Sequence, residues 1–349
     1  MEFVDKVKLY VKAGDGGDGA VAFLREKFRP RGGPAGGDGG KGGDVIFVAT
    51  KNKHTLYDLK FQKHLRAENG KPGGGKKKHG RHGKDLVVEV PVGTVVKDAE
   101  TGEVIADLTK DGQRAVIARG GKGGLGNAHF ATPTRQAPRF ATKGKKGEEK
   151  WVILELKSIA DVGLVGFPNA GKSTLINRLS NAKAEVAPYP FTTRKPNLGV
   201  VGFDDFSSYV IADIPGLIEG AHKGKGLGHE FLRHIERTKV LAFVLDVSDF
   251  RERDPLEAFE TLREELRRYS PKLLEKPQVV VLNKIDALSD KKYLEDLKRV
   301  FKEKYNLPVF EISALTGEGL DKLKYALRDL VEKVRQEERE KSQEGDKKD

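Results

Sequence analysis

The sequence predicts two domains of different class: an N-terminal glycine-rich fold of short β-strands and polyproline II-type helices, then an α/β domain with a doubly wound parallel sheet. Three observations predict it. The whole formal charge excess of +12 falls in residues 1–150, which hold 30 Lys+Arg against 18 Asp+Glu, while the remaining residues balance at 34 each. Glycine divides the same way, with 28 of 41 at or before Gly147. From Ile159 onward, apolar runs alternate with helical periodicity.

Composition narrows the class. The 349 residues suit two domains, and the absence of cysteine excludes disulfide scaffolds and thiolate metal sites. Hydrophobic residues make up 37% and charged residues 33%, too apolar for a wholly disordered chain. No apolar run approaches the ~18 residues that cross a bilayer, so a cytoplasmic protein without a membrane span is expected.

In the first domain the glycines recur three apart, as at Gly14/Gly17, Gly33/Gly36/Gly39/Gly42, Gly70/Gly73, Gly80/Gly83 and Gly120/Gly123/Gly126. Three residues per turn is the polyproline II period, and glycine at every third place lets such helices touch backbone to backbone. Strand-like segments at 3–11, 45–49, 86–90, 95–96, 104–108 and 115–118 supply a small core on which to anchor them. Spacing therefore argues against a disordered basic tail. The domain is expected to span 1–158. Basic clusters at 25–31 and 76–82 interrupt glycine segments, which puts them at loop tips within reach of phosphates. His79 and His82 lack a carboxylate or cysteine partner to complete a metal set.

In the second domain, 159–335, strands are expected at 162–165, 209–212, 240–245, 279–282 and 309–312. Helices are expected at 172–179, 229–237, 255–269, 291–305 and 320–335. Such alternation brings ligands to the carboxyl ends of the strands. At the first such end stands Gly166-Phe167-Pro168-Asn169-Ala170-Gly171-Lys172-Ser173, a full match to G-x-x-x-x-G-K-[ST]. Its backbone amides would cradle phosphates, Lys172 would meet the β- and γ-phosphates, and the Ser173 hydroxyl would ligate Mg²⁺. Asp213-Ile214-Pro215-Gly216 follows the next strand: Asp213 is suited to hold Mg²⁺ through water, and the Gly216 amide to meet the γ-phosphate. Asn283-Lys284-Ile285-Asp286 follows a later one, and its carboxylate can accept two hydrogen bonds from guanine, which adenine cannot offer. Ser313-Ala314-Leu315 would back the base on its O6 side. In this order the motifs select GTP or GDP. Between the P-loop and Asp213 lies a Thr192-Thr193 pair, one of which would complete the Mg²⁺ shell when γ-phosphate is present; spacing cannot separate adjacent residues. The last fourteen residues, 336–349, hold ten charges and read as a disordered tail.

These elements together resemble the Obg family of bacterial GTPases over nearly the whole chain. The specific segments are Gly14-Asp15-Gly16-Gly17-Asp18-Gly19, residues 32–44, Gly120-Gly121-Lys122-Gly123-Gly124-Leu125-Gly126-Asn127, the P-loop, and Gly226-Leu227-Gly228-His229-Glu230-Phe231-Leu232-Arg233-His234. The resemblance implies an N-terminal Obg fold followed by a Ras-like G domain of the P-loop NTPase class. It selects Thr193 over Thr192 as metal ligand beside Ser173, and adds Phe191, Thr192, Arg194 and Lys195 to the nucleotide-binding set. It implies GTP hydrolysis, expected to be slow because of Leu217, a role in large ribosomal subunit assembly through ribosomal RNA, and a link to stress in which guanosine tetraphosphate shares the GDP site. Many members carry a further C-terminal domain; here the chain ends soon after the helix at 320–335, and functions of that domain are not carried over. Leu217 stands where Ras-type proteins place a water-orienting glutamine, and an aliphatic group cannot orient water. Asn169 matches the asparagine that holds K⁺ in similar GTPases, although a turn-forming asparagine would look the same. No general base can be named. A monomer is expected. The link at 143–151 is expected to let domain docking follow nucleotide state. A protein-directed signalling GTPase and a guanine-nucleotide sensor are the competing roles.

Overall fold

The computed structural model describes residues 4–53, 55–181, 185–186, 197–213 and 234–345. The chain divides into two compact units between Lys157 and Ser158.

The first unit contains β1 (Lys6–Lys12), β2 (Phe23–Glu26), β3 (Arg29–Pro34), β4 (Val45–Thr50), β5 (His64–Arg66), β6 (Leu86–Pro91), β7 (Thr94–Asp98), β8 (Val104–Leu108), β9 (Arg114–Ala118) and β10 (Glu149–Leu156). One sheet runs β5-β1-β10-β7-β8, a second runs β6-β4-β9, and β2-β3 form a separate hairpin. Alternation along β1 buries Val7, Leu9 and Val11, which meet Val152 and Leu154 of β10 in a small core. The expectation that 143–151 is a link is corrected. Residues 149–151 open β10, a central strand of the larger sheet, because Val152 and Leu154 carry its buried face.

Six extended arms, 14–20, 35–43, 68–75, 78–84, 119–126 and 142–148, run between these sheets and a common far end. Their hydrogen bonds go to each other, as expected of polyproline II helices. Three arms close a ring: the Gly17 amide donates to the Gly40 carbonyl, Gly39 to Gly124, and Gly124 to Gly17, each at 2.8 Å. The ring repeats one turn away, with Gly14 donating to Gly43, Gly42 to Gly121 and Gly121 to Gly14, each at 2.9 Å. None of these glycines has positive φ. Space, not conformation, demands them: a Cβ on Gly123 would lie 1.8 Å from the Gly39 carbonyl oxygen, and one on Gly39 would lie 1.8 Å from that of Gly17.

Carboxylates finish the bundle. Asp15 accepts the Gly147 amide and Asp18 the Gly144 amide at 2.9 Å; Asp38 accepts Gly126 at 2.8 Å and Asp44 accepts Gly120 at 2.7 Å. Fully buried Asn127 accepts the Gly36 amide at 2.7 Å and donates to the carbonyls of Ala22 and Pro138. The Gly147 amide, with Lys12 nearby, holds the Asp15 carboxyl below its ordinary range. Burial opposes ionisation of Asp38, but the Gly126 amide and the His129 and His79 rings outweigh it and hold that carboxyl low as well. His79 is taken up here, accepting the Asp38 amide at 3.0 Å.

At the far end the 25–31 cluster forms the β2–β3 hairpin rather than an open loop, with Arg25 on one strand and Arg29 and Arg31 on the other. The second cluster turns through Lys76 and Lys77, both left-handed at φ 54° and 55°.

The second unit contains β11 (Val162–Val165), α1 (Lys172–Leu179), β12 (Glu185–Val186), β13 (Asn197–Gly202), β14 (Ser208–Asp213), β15 (Val240–Asp246), α2 (Pro255–Tyr269), β16 (Gln278–Asn283), α3 (Lys291–Tyr305), β17 (Val309–Glu311) and α4 (Leu320–Gly345). The sheet order is β12-β13-β14-β11-β15-β16-β17, with the five strands β14, β11, β15, β16 and β17 parallel. β11 and β16 are wholly buried, as their unbroken apolar runs require of strands covered on both faces. Of the helix expected at 229–237, only His234–Glu236 is helical among the described residues.

The expected disordered tail is also corrected. α4 continues through residues 336–345. Charge-rich Glu, Arg, Lys and Gln are good helix formers once a packed helix precedes them, and (i, i+4) pairs add support. Gln336 donates to Glu340 at 3.1 Å, Glu338 pairs with Lys239 at 3.5 Å, and Arg335 binds Asp161 at 3.0 Å. No helix among the described residues is long and apolar enough to cross a membrane.

Two outcomes follow for the first unit. Gly123→Ala should separate two arms and cost at least about 3 kcal/mol of stability, read as a lower first thermal transition of the full chain. Depressed folded pKa values mean that Asp15 and Asp38 stabilise the unit above an unfolded pKa of about 3.9, and that this contribution fades as pH falls further. The doubly substituted Asp15→Asn/Asp38→Asn chain should therefore lose less melting temperature than the parent between about pH 5 and pH 3.

Candidate functional site

The carboxyl ends of β11, β14, β15 and β16 come together at one edge of the sheet, and the predicted motifs lie on them. β11 ends at Val165 and the chain turns through Gly166–Gly171 into α1. The turn is sharp: Asn169 has φ 67° and Gly171 φ 98°, both left-handed. Gly171 is required twice over, since a Cβ there would also lie 2.2 Å from Asn283 Nδ2. The result is a backbone cradle opening on the N-terminus of α1, suited to an anion.

Lys172 Nζ donates to the carbonyls of Gly166 at 2.8 Å and Phe167 at 3.0 Å. Burial pushes its pKa down, and the nearby Asp213 carboxylate partly offsets this. The ammonium is thus held on neutral acceptors that an arriving phosphate can replace. Ser173 Oγ donates to Asp213 Oδ2 at 3.0 Å. A hydroxyl and a carboxylate side by side are hard oxygen donors, the chemistry that Mg²⁺ takes. No group of three or more His, Cys, Asp or Glu is placed to hold a metal among the described residues, so this pair fits an ion shared with phosphates.

The base-side loops are tied to this cradle. Asn283 is buried at 2% exposure; its Nδ2 donates to the Ala170 carbonyl at 2.9 Å and its Oδ1 accepts the Ala314 amide at 3.1 Å. Lys284, left-handed at φ 69°, donates Nζ to the Asn169 carbonyl at 2.6 Å. Buried Ser313 donates its hydroxyl to Asp286 at 2.8 Å, which leaves the exposed Asp286 carboxylate further acceptor capacity. The amide of Ile285 reaches Ile312 at 3.3 Å, and Leu315 is 74% exposed.

So Gly166, Phe167, Pro168, Asn169, Ala170, Gly171, Lys172, Ser173, Asp213, Asn283, Lys284, Ile285, Asp286, Ser313, Ala314 and Leu315 gather at one edge. Phe191, Thr192, Thr193, Arg194, Lys195, Ile214, Pro215, Gly216 and Leu217 lie outside the described residues. Three residues went unnoticed in the sequence. Arg178 of α1 grips the carbonyls of Ala314 and Leu315, each at 3.0 Å. The Arg253 guanidinium lies 4.0 Å over the ring of Phe167. Asp246 pairs with Lys284 at 3.0 Å. Asp246 was findable, since it ends a parallel strand where functional residues collect.

A family model described as GTP1/OBG matches residues 4–158, and one described as 50S ribosome-binding GTPase matches 161–284. The chain is 67% identical to the GTPase Obg of Aquifex aeolicus over 97% of its own length and 98% of that relative. It is 60% identical to the GTPase Obg of Persephonella marina, covering 97% of this chain and 99% of that one. The GTPase Obg of Caldicellulosiruptor saccharolyticus is also 60% identical, over 91% of this chain and 74% of that one. With the glycine-arm unit, the P-loop unit and these relatives all in accord, the chain belongs to the Obg family of GTPases, whose G domain hydrolyses GTP.

Proposed function

We propose that this GTPase is a Mg²⁺-dependent switch acting on the large ribosomal subunit, and that it meets ribosomal RNA through the far end of its glycine-rich unit. One observation supports this most. The three tips at that end, residues 21–34, 76–78 and 127–141, display nine Lys or Arg side chains and a single carboxylate, Glu26. All nine cations are exposed, and Phe28 at the hairpin turn is 89% exposed, ready to stack on a base. Phosphate neutralisation by such a surface releases counterions and makes binding depend steeply on salt. The description of the second matched family, a 50S ribosome-binding GTPase, points to the same partner.

At the other unit, the P-loop amides would hold the phosphates, and Lys172 would exchange its two carbonyl partners for the β- and γ-phosphates. Ser173 and Thr193 would hold Mg²⁺, with Asp213 in support; the ion supplies charge neutralisation at the transferring phosphate. Asp286 would accept guanine N1–H and N2–H, with Ser313, Ala314 and Leu315 behind the base. Phe191, Thr192, Arg194, Lys195, Ile214, Pro215 and Gly216 would complete the nucleotide contacts. The reaction is attack of water on the γ-phosphate, in which the chain orients and stabilises charge. With Leu217 after Gly216, intrinsic turnover is slow, and Asn169 is the residue to hold K⁺ as a second ion. The protein would act as a cytoplasmic monomer, binding GTP, GDP or guanosine tetraphosphate.

Co-sedimentation with large ribosomal subunits should require a non-hydrolysable GTP analogue and weaken as salt rises. Replacing Lys76, Lys77 and Lys78 with Gln should reduce it by at least about tenfold while leaving GDP affinity intact. Binding that ignores salt and these lysines would favour a protein partner, and no binding in either nucleotide state would favour a nucleotide sensor. In hydrolysis assays at equal ionic strength, K⁺ should outperform Na⁺, and Asn169→Ala should erase the difference; equal rates in the parent chain would remove the ion from the mechanism.

A further inference from the structure

Two residues at the nucleotide edge carry side chains yet adopt left-handed backbone: Asn169 in the P-loop, with φ 67°, and Lys284 in the base-side loop, with φ 69°. Such residues persist only where their surroundings hold them. One hydrogen bond joins them, from Lys284 Nζ to the Asn169 carbonyl at 2.6 Å. The same ammonium lies 3.0 Å from Asp246 Oδ2 at the end of β15. The other carboxylate oxygen accepts the Ser248 amide at 2.9 Å, so the acid is itself anchored to its own turn.

A half-open pocket of about 140 Å³ borders the pair, lined in part by Phe167, Asn169, Asp246, Phe250, Arg253 and Lys284. It matters because a lysine stem is long and rotatable. With open space on that side, packing does not confine the Lys284 ammonium; the Asp246 carboxylate does. Asp246 has 23% and Lys284 35% of its side chain exposed, so the pair is less screened than a surface ion pair.

We propose that Asp246 is a positioning residue of the nucleotide site: its carboxylate pins the Lys284 ammonium on the Asn169 carbonyl and so keeps the P-loop in its phosphate-ready shape before nucleotide arrives. The proposal rests on these two loops being the nucleotide site. Asp246 touches no nucleotide. It acts by raising the fraction of molecules whose cradle is already formed, and apparent affinity scales with that fraction.

The test is fluorescent-GDP titration and thermal melting of the full chain bearing Asp246→Asn, Lys284→Met, or both. Asparagine keeps an oxygen for the Ser248 amide and removes only the charge, so folding should survive. Asp246→Asn should bind GDP on the order of tenfold more weakly, melt close to the parent without nucleotide, and gain less melting temperature from GDP. In the Lys284→Met background it should add less than about twofold, because its route is already cut. An equal drop in melting temperature with and without GDP at unchanged affinity would reduce Asp246 to a fold-stabilising role and overturn the proposal. So would a full tenfold loss that persists without Lys284. If Asp246→Asn fails to fold, Asp246→Glu, which keeps the charge but displaces it, replaces it: weaker GDP binding that depends on Lys284 supports the proposal, and parent-like binding overturns it. A parent chain that does not bind GDP would instead sink the site assignment itself.

Discussion

The approach of one backbone to another, closer than any side chain permits, is the constraint on which the first unit depends. Its arms carry no hydrophobic layer of their own. What replaces it is amide-to-carbonyl pairing between extended chains, with glycine at the positions where a Cβ would strike the next backbone. Gly39 is hemmed in by the Gly17 carbonyl and in turn hems in Gly123. A substitution at any link therefore pushes on the next arm, and the bundle behaves as one cooperative object. The cost is backbone entropy, which glycine loses more of than any other residue on folding. The sheets offset part of it by burying Leu9, Phe47, Val96, Leu108 and Leu154 at the base.

That constraint sorts the charges. Asp15, Asp18, Asp38 and Asp44 stand among the glycines because each accepts the amide of another arm. Acids are consumed inside the bundle. Lysines and arginines are spread over both arms and tips, and in the arms Lys41 pairs with Asp44 and Arg81 with Glu68. The tips differ in lacking acids, with nine cations standing there against Glu26 alone. His79 and His129 both bond to Asp38, His79 accepting its amide and His129 meeting its carboxylate.

Much of this was legible in the sequence, and the failures have physical causes. The period of three in the glycines marks the arms, since close approach imposes that spacing. Helices at 172–179, 255–269 and 291–305 are visible through their apolar periodicity, and Asp254 and Asp290 cap the latter two. β10 was overlooked because its apolar residues follow a lysine- and glycine-rich stretch that reads as linker. The β2–β3 hairpin was overlooked because none of its residues is buried, so no hydrophobic period exists to reveal it. The extension of α4 is held by ion pairs and propensity, which hydropathy does not register. At the nucleotide edge, the motif residues were readable because chemistry fixes their type and order. Arg178 and Arg253 were not, because their roles arise from where the fold carries them.

The two units use glycine for opposite ends. In the arms, removing the Cβ lets amides such as those of Gly17, Gly39 and Gly124 pair with the carbonyl of another arm. In the P-loop, Gly171 lets the backbone turn left-handed so that amides converge and remain available at the start of α1. Amides turned toward one point and left-handed residues are intrinsically unfavourable and need neighbours to hold them. The chain meets this from outside the cradle. Lys172 rests on the loop's own carbonyls, Asn283 takes Ala170, and Lys284 takes Asn169. Each contact satisfies a carbonyl and leaves the amides free. The geometry of the cradle is thus set by side chains from the start of α1 and from the end of β16.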